Sequence, residues 1–157
     1  MKLSRIWTPI GLAAALLLAI PFGAQAQILR STQSPNYNYI GIGGGDDGFV
    51  VNSKFSISNN LSIRPEVATD FDFDDDEDLS YLIPITYDFQ GAAGFTPFVG
   101  AGISGDIGDD DTDIEFATVA GADYRFANNY VANGSINYTP FSDDDEVGFT
   151  LGVGYLF

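Results

Sequence analysis

Three sets of residues in this chain have types and spacings that could do chemistry. The first is Lys54, Arg64, Glu66, Asp88, Asp123 and Arg125, three cations and three anions whose neighbours in the chain are mostly apolar or small. Charges turned toward a poorly hydrated interior are costly unless they pair, so these six predict a salt-bridged network. The second set is acidic. Asp70, Asp72 and Asp74 copy the opening positions of a calcium-binding loop, but Asp75 replaces the glycine that loop needs and Tyr81 sits where its closing glutamate belongs. Asp109, Asp111 and Asp113 fail likewise at Ile114. What remains is weak, shared binding of Ca²⁺ or Mg²⁺ by Asp74, Asp76, Asp109, Asp111, Asp143 and Asp145, set against a solvated charge run that keeps the surface soluble. No dedicated metal site or cofactor is expected. The third set, Gly100-Ala101-Gly102-Ile103-Ser104-Gly105, matches the dinucleotide fingerprint. That motif needs a following helix to receive the pyrophosphate, and here Asp106 and an acid run follow, which repel phosphate.

What the chain lacks is equally informative. It has no Cys and no His among 157 residues, which removes disulfides, thiolate chemistry, histidine-ligated zinc and Ser-His-Asp machinery. An enzyme is not expected. Six Lys and Arg against 22 Asp and Glu exclude nucleic acid as a partner, since phosphates require cations.

The elements that position these residues begin after a leader. Lys2 and Arg5 precede an apolar run from Ile10 to Ile20, and Ala24-Gln25-Ala26 is a small-residue cleavage site. Residues 1–26 read as a secretory signal peptide and 27–36 as a short tail. After the leader, four cations remain against 22 acids, a net charge of −18.

Beyond the tail the periodicity is two. Leu79, Tyr81, Ile83, Ile85, Tyr87 and Phe89 alternate with Ser80, Leu82, Pro84, Thr86 and Asp88, and Val147 to Phe157 alternates in the same way. The pattern predicts eight strands near 37–44, 49–57, 61–73, 79–89, 96–105, 114–126, 130–141 and 147–157; the phase of the first is unsettled, because Tyr37, Tyr39, Ile40 and Ile42 do not share a face. The connections alternate in kind. Those at 58–60, 90–95 and 128–129 carry no acid, whereas the other four hold 17 of the 22 acids. In an up-and-down meander every second connection lies at the same end, so the acids gather on one rim.

A closed eight-stranded meander can be soluble with an apolar pocket or membrane-spanning with an apolar exterior. Three features select the membrane. The polar phase is rich in Gly, Ser, Asn and Thr and short of charge, unlike a water-facing surface, which is about a quarter charged or more. The strand lengths suit a tilted transmembrane strand. The aromatics fall in two bands, one near the neutral turns (Tyr37, Tyr39, Phe55, Tyr87, Phe89, Phe95, Tyr124, Phe126, Tyr130, Tyr155, Phe157) and one near the acidic loops (Phe49, Phe71, Phe73, Tyr81, Phe116, Tyr138, Phe141, Phe149), with Phe98 outside both. The fold class is therefore all-β: a closed, eight-stranded, antiparallel up-and-down transmembrane β-barrel over residues 37–157. An open sheet is excluded, because unpaired backbone groups in hydrocarbon cost several kcal/mol each.

The leader, the eight strands and the ending Val153-Gly154-Tyr155-Leu156-Phe157 resemble small bacterial outer-membrane barrels of the OmpA/OmpX and opacity-protein type, and Thr96-Pro97-Phe98-Val99-Gly100-Ala101-Gly102-Ile103 is similar to their fifth strand. The resemblance covers essentially all of the chain after the leader. It implies an outer-membrane location, contact with outer-membrane lipids, acidic loops facing outward, and insertion by the barrel-assembly machinery through the terminal Phe157. A monomer is expected. No peptidoglycan-binding domain follows the barrel, so wall anchoring is not.

Inside such a barrel, face matching allows Lys54 to lie opposite Arg64 with a three-residue turn or opposite Glu66 with a five-residue turn. Electrostatics favours the second and turn economy the first. The network reads either as a satisfied core filling the interior or as the gate of a narrow porin-like channel for ions or small solutes; the satisfied core is preferred, because eight strands enclose a space that side chains can fill.

Overall fold

A computed structural model of the chain describes residues 34–69, 79–107, 114–140 and 146–157. The leader, Asp70 to Asp78 and the two loops that carry Asp109, Asp111, Asp143 and Asp145 lie outside the described residues, as do Asp74 and Asp76. Nine hydrogen-bonded segments form one sheet: β1 (Tyr39–Gly45), β2 (Gly48–Ser56), β3 (Leu61–Ile63), β4 (Glu66–Thr69), β5 (Leu79–Asp88), β6 (Phe95–Ile107), β7 (Glu115–Ala127), β8 (Tyr130–Thr139) and β9 (Glu146–Leu156). β3 and β4 are the two halves of one stave, since both pair with β2 on one side and β5 on the other. Each stave pairs antiparallel with its neighbour in sequence, and β1 also pairs with β9 from Tyr39↔Leu156 to Gly45↔Thr150. The sheet is thus a closed eight-stranded barrel without an edge.

The third stave breaks where two prolines meet. Ser53 donates to the carbonyl of Pro65 at 3.0 Å and Arg64 to that of Pro84 at 3.0 Å. Neither proline has an N–H to return, so two ladder bonds are missing side by side. The register survives the gap: Phe55↔Ile63 and Asn52↔Glu66 belong to one continuous alignment. That alignment places Lys54 level with Arg64, and Ile57 closes the turn by donating to Leu61 at 2.7 Å. The short-turn register is therefore the one adopted. The like charges it brings together are compensated by Asp88 on the next stave and by Asp123 across the lumen rather than by Glu66.

Alternation sorts the two faces. On β5, Ile83, Ile85 and Tyr87 are exposed while Leu82, Thr86 and Asp88 are buried; on β9, Val147, Phe149, Leu151, Val153 and Tyr155 all point outward. Among the described residues no helix is long and apolar enough to cross a membrane, so the apolar exterior is presented by strands. Phase settles for β1 as well: Ile40 and Ile42 face outward, and Tyr39 is buried. This corrects the placing of Tyr37 and Tyr39 in the aromatic band, for both rings serve the interior. Aromatic contacts outside tie the neutral-turn band together, with Phe126 stacked on Tyr130 at 6.2 Å and Tyr130 edge-on to Tyr155 at 5.7 Å.

Interior glycines leave room for the large inward side chains. A Cβ on Gly121 would lie 2.6 Å from Phe98 Cζ, and one on Gly154 would lie 2.7 Å from Tyr39 Cδ2. Gly100 and Gly102, the centre of the apparent dinucleotide motif, lie on the inward phase of β6, where a Cβ would meet the backbone of β5.

An exterior set against hydrocarbon penalises charge by depth. Leu151, at the middle of β9 and 64% exposed, is expected to cost about 2–4 kcal/mol on replacement by Arg, whereas Val147→Arg near the rim costs about 1 kcal/mol or less. Equilibrium urea unfolding in phospholipid vesicles measures the difference.

Candidate functional site: a buried charge cluster in the barrel lumen

Arg64 sits at the proline-broken point of the third stave and turns into the lumen. Its five N–H donors are all engaged. Nε donates to Thr86 Oγ1 at 3.1 Å; Nη1 donates to Tyr39 Oη at 3.3 Å and Asp123 Oδ1 at 3.1 Å; Nη2 donates to Asp88 Oδ1 and Asp123 Oδ2, each at 2.9 Å. The guanidinium plane also lies 3.6 Å from the centre of the Phe98 ring. A planar fork that saturates two carboxylates while stacking on an aromatic face uses what distinguishes Arg from Lys.

The other three charges complete the cluster. Lys54 Nζ lies 3.1 Å from Asp88 Oδ2 and 3.9 Å from Asp123 Oδ2, and it donates to the carbonyl of Pro35 at 2.7 Å. The Ser62 hydroxyl donates to Asp88 Oδ2, and the Tyr37 hydroxyl donates to Asp123 Oδ2 at 2.6 Å. Two cations face two anions, with Lys54 and Asp123 at 0% exposure and Asp88 at 1%. β2, the proline break, β5 and β7 each supply one charge, so the cluster ties together staves on opposite sides of the lumen.

Two of the six sequence-predicted residues stand apart from this group. Glu66 accepts a hydrogen bond from Thr150 Oγ1 at 2.6 Å, one inward step nearer the acidic rim. Arg125 lies 4.5 Å from the centre of the Tyr37 ring and reaches the carbonyl of Ser34 at 3.5 Å. Phe157 is exposed, edge-on to Phe55 at 6.4 Å, with its N–H donated to Asn38. Sequence reasoning missed the polar groups around the charges: Ser62, Thr86, Tyr37 and Tyr39. Three of them share the inward phase, which was the available signal. Tyr37 precedes the first strand and gave none.

Above the cluster the lumen opens into an acidic vestibule of about 80 Å³, bordered by Asp46, Asp47, Glu66, Asp106 and Glu115. Among the described residues no group of three or more carboxylates has the geometry to hold a metal ion. Between vestibule and cluster, Asn52 Nδ2 donates to Asn133 Oδ1 at 2.8 Å. The remaining amide atoms of this pair have no protein partner, and both residues border a cavity of about 20 Å³, a size that admits one water molecule.

Removing one member of such a cluster strands an opposite charge. Asp123→Ala, which leaves Arg64 and Lys54 with Asp88 alone, is expected to cost about 3–5 kcal/mol of stability. Denaturant unfolding of the refolded barrel measures it, and a loss under about 1 kcal/mol, the range of an exposed pair, would show that the cluster is hydrated rather than buried.

The geometry of the barrel has counterparts among solved structures. The chain is similar to Ail, the attachment invasion locus protein of Yersinia pestis, at 19% identity and a TM-score of 0.57, over 78% of this chain and 99% of that one. It is similar to the N-terminal β-barrel domain of Pseudomonas aeruginosa OprF at 20% identity and a TM-score of 0.58, over 80% and 100%. A de novo designed transmembrane β-barrel matches at 17% identity and a TM-score of 0.56, over 80% and 99%. At these identities the likeness is one of fold. No curated protein sequence matches the chain. The family model for the outer membrane protein β-barrel domain matches residues 10–157, nearly the whole chain. The chain belongs to that family and is a protein of the bacterial outer membrane.

Proposed function

We propose that this protein is a non-enzymatic, monomeric outer-membrane barrel whose interior is closed by side chains and whose role is structural or one of surface interaction. The observation that carries this reading is the saturation of Arg64: all five donors are spent on Asp88, Asp123, Thr86 and Tyr39, inside the barrel lumen. A group committed on every side holds the staves together and leaves no valence for a substrate. The absence of His and Cys from the chain supports the non-enzymatic reading, because acyl transfer and hydrolysis would need another proton carrier beside a nucleophile.

In this reading the acidic loops face the outside of the cell, the neutral turns face the periplasm together with Ser34 and Phe157, and the exposed apolar belt contacts outer-membrane lipid. Phe157, at the exposed end of β9, serves as the recognition point for the barrel-assembly machinery. The acidic rim keeps the outer surface hydrated and needs no resident cofactor. Calorimetric titration with millimolar calcium is accordingly expected to give no saturable heat; a saturable heat would instead assign the loops a cation site.

The second reading, a narrow channel for ions or small solutes, draws on the acidic vestibule, which would concentrate cations at one mouth. Planar-bilayer recording of the refolded protein separates the two. The closed-barrel reading expects no steady conductance from the parent protein. A steady conductance that changes in Arg64→Ala would overturn it in favour of the channel.

A further inference from the structure

We infer that Ser34–Tyr37 is a strap that docks in the neutral-turn mouth of the barrel as a ligand supplied by the chain itself, keeping water from the charge cluster, and that its release hydrates the cluster. The inference rests on the closed-lumen reading and adds to it the part of the closure that can move.

The strap is folded to fit its site. Ser34 Oγ accepts the N–H of Asn36 at 3.2 Å, and the carbonyl of Pro35 accepts that of Tyr37 at 3.1 Å, so the chain doubles back within four residues. The turn buries Pro35 completely and presents its carbonyl to Lys54. The Tyr37 ring lies between two cations, 3.5 Å from Lys54 Nζ and 4.5 Å from the Arg125 guanidinium. Beyond the ring, the phenol reaches Asp123 at 2.6 Å. A carbonyl, an aromatic face and a hydroxyl thus meet an ammonium, a guanidinium and a carboxylate, each with its chemical complement.

The strap is separable from the barrel. The ladder begins at Tyr39, so Ser34–Tyr37 adds no rung to the closed sheet, and the Ser56 hydroxyl, which donates to the Tyr37 carbonyl at 2.9 Å, holds the strap at its hinge end. Asn38 is the hinge post, fixed by Ser56, which donates to its side chain at 2.9 Å, and by Phe157, which donates to its carbonyl at 3.1 Å. Arg64 spends none of its donors on the strap, so the inner clamp survives undocking. Lys54 and Asp123 each lose a partner and meet water, where their attraction falls with the rise in local dielectric.

The chain has no native cysteine, which permits a clean accessibility test. Val131 is fully buried on the inward phase of β8 and pairs directly with Arg125. Val131→Cys, close to the parent side chain in size, is refolded into liposomes and labelled with a charged methanethiosulfonate, in the parent, Tyr37→Ala and Tyr37→Phe backgrounds; heat-modifiable gel mobility verifies folding in each. Slow labelling is expected in the parent, with Tyr37→Ala faster by about tenfold or more, the scale of one lost charge-assisted hydrogen bond. Tyr37→Phe, which keeps the ring between the cations, is expected to fall between them. Slow labelling that neither substitution accelerates would overturn the strap and leave the closed lumen standing. Parent labelling as fast as that of Ser58→Cys in the exposed turn would overturn the closed lumen itself.

Discussion

The interior of this barrel depends on one guanidinium. A closed sheet of eight staves satisfies its own backbone, but its lumen must be filled, and filling it with apolar residues would leave no distinction between inside and outside. Arg64 resolves this by drawing carboxylates from β5 and β7 to a point between the staves, with Thr86, Tyr39 and Phe98 closing the remaining directions. The proline pair that interrupts the ladder sits at the same level. Backbone hydrogen bonding is weakest where side-chain bonding across the lumen is strongest, so lateral cohesion is exchanged for cohesion through the centre.

Much of this was legible in the residues. Period-two alternation identifies the strands, and the alternation of neutral with acidic connections identifies a meander with two unlike ends. Those are local signals, repeated eight times, and repetition makes them robust. The inward phase of Lys54, Asp88 and Asp123 follows from the same rule. Partnerships across the lumen were not legible, because they join residues dozens of positions apart whose approach depends on the tilt and stagger of the staves. The electrostatic preference for Glu66 over Arg64 opposite Lys54 takes only adjacent strands into account. In a narrow barrel the opposite wall is close enough to compete: Asp123 reaches in from β7 across the lumen, and with Asp88 from β5, beside the third stave, it supplies what Glu66 does not. Tyr37 was unreadable for a different reason: it belongs to no periodic element, so its aromatic character suggested the interface band when its hydroxyl belongs to the cluster.

The two ends of the lumen are chemically unlike. One mouth is bordered by Asp46, Asp47, Glu66, Asp106 and Glu115; the other holds Lys54, Arg64 and Arg125 near the barrel's termini. An interior this asymmetric is costly without internal balance, and the balance is local: two carboxylates sit within reach of the paired cations, while of the vestibule acids Asp46, Asp47 and Asp106 are exposed and Glu66, half-buried, accepts from Thr150. The fold thus combines a desolvated half, where cations and carboxylates are matched, with a mouth whose acids border water.

Gly121 beneath Phe98 and Gly154 beside Tyr39 are holes cut to the shape of particular knobs. The volume of the lumen is therefore not a property of strand number alone but of matched pairs on different staves. A larger residue at Gly154 meets the Tyr39 ring first, whereas a Cβ at Gly121 meets the carbonyl of Gly134 at 2.2 Å before it meets Phe98, so shrinking Phe98 alone makes no room there. For anyone wishing to hollow the barrel for a guest molecule, trimming Phe98 opens space beside a residue without a side chain and at the same time uncovers the face of the Arg64 guanidinium on which that ring lies.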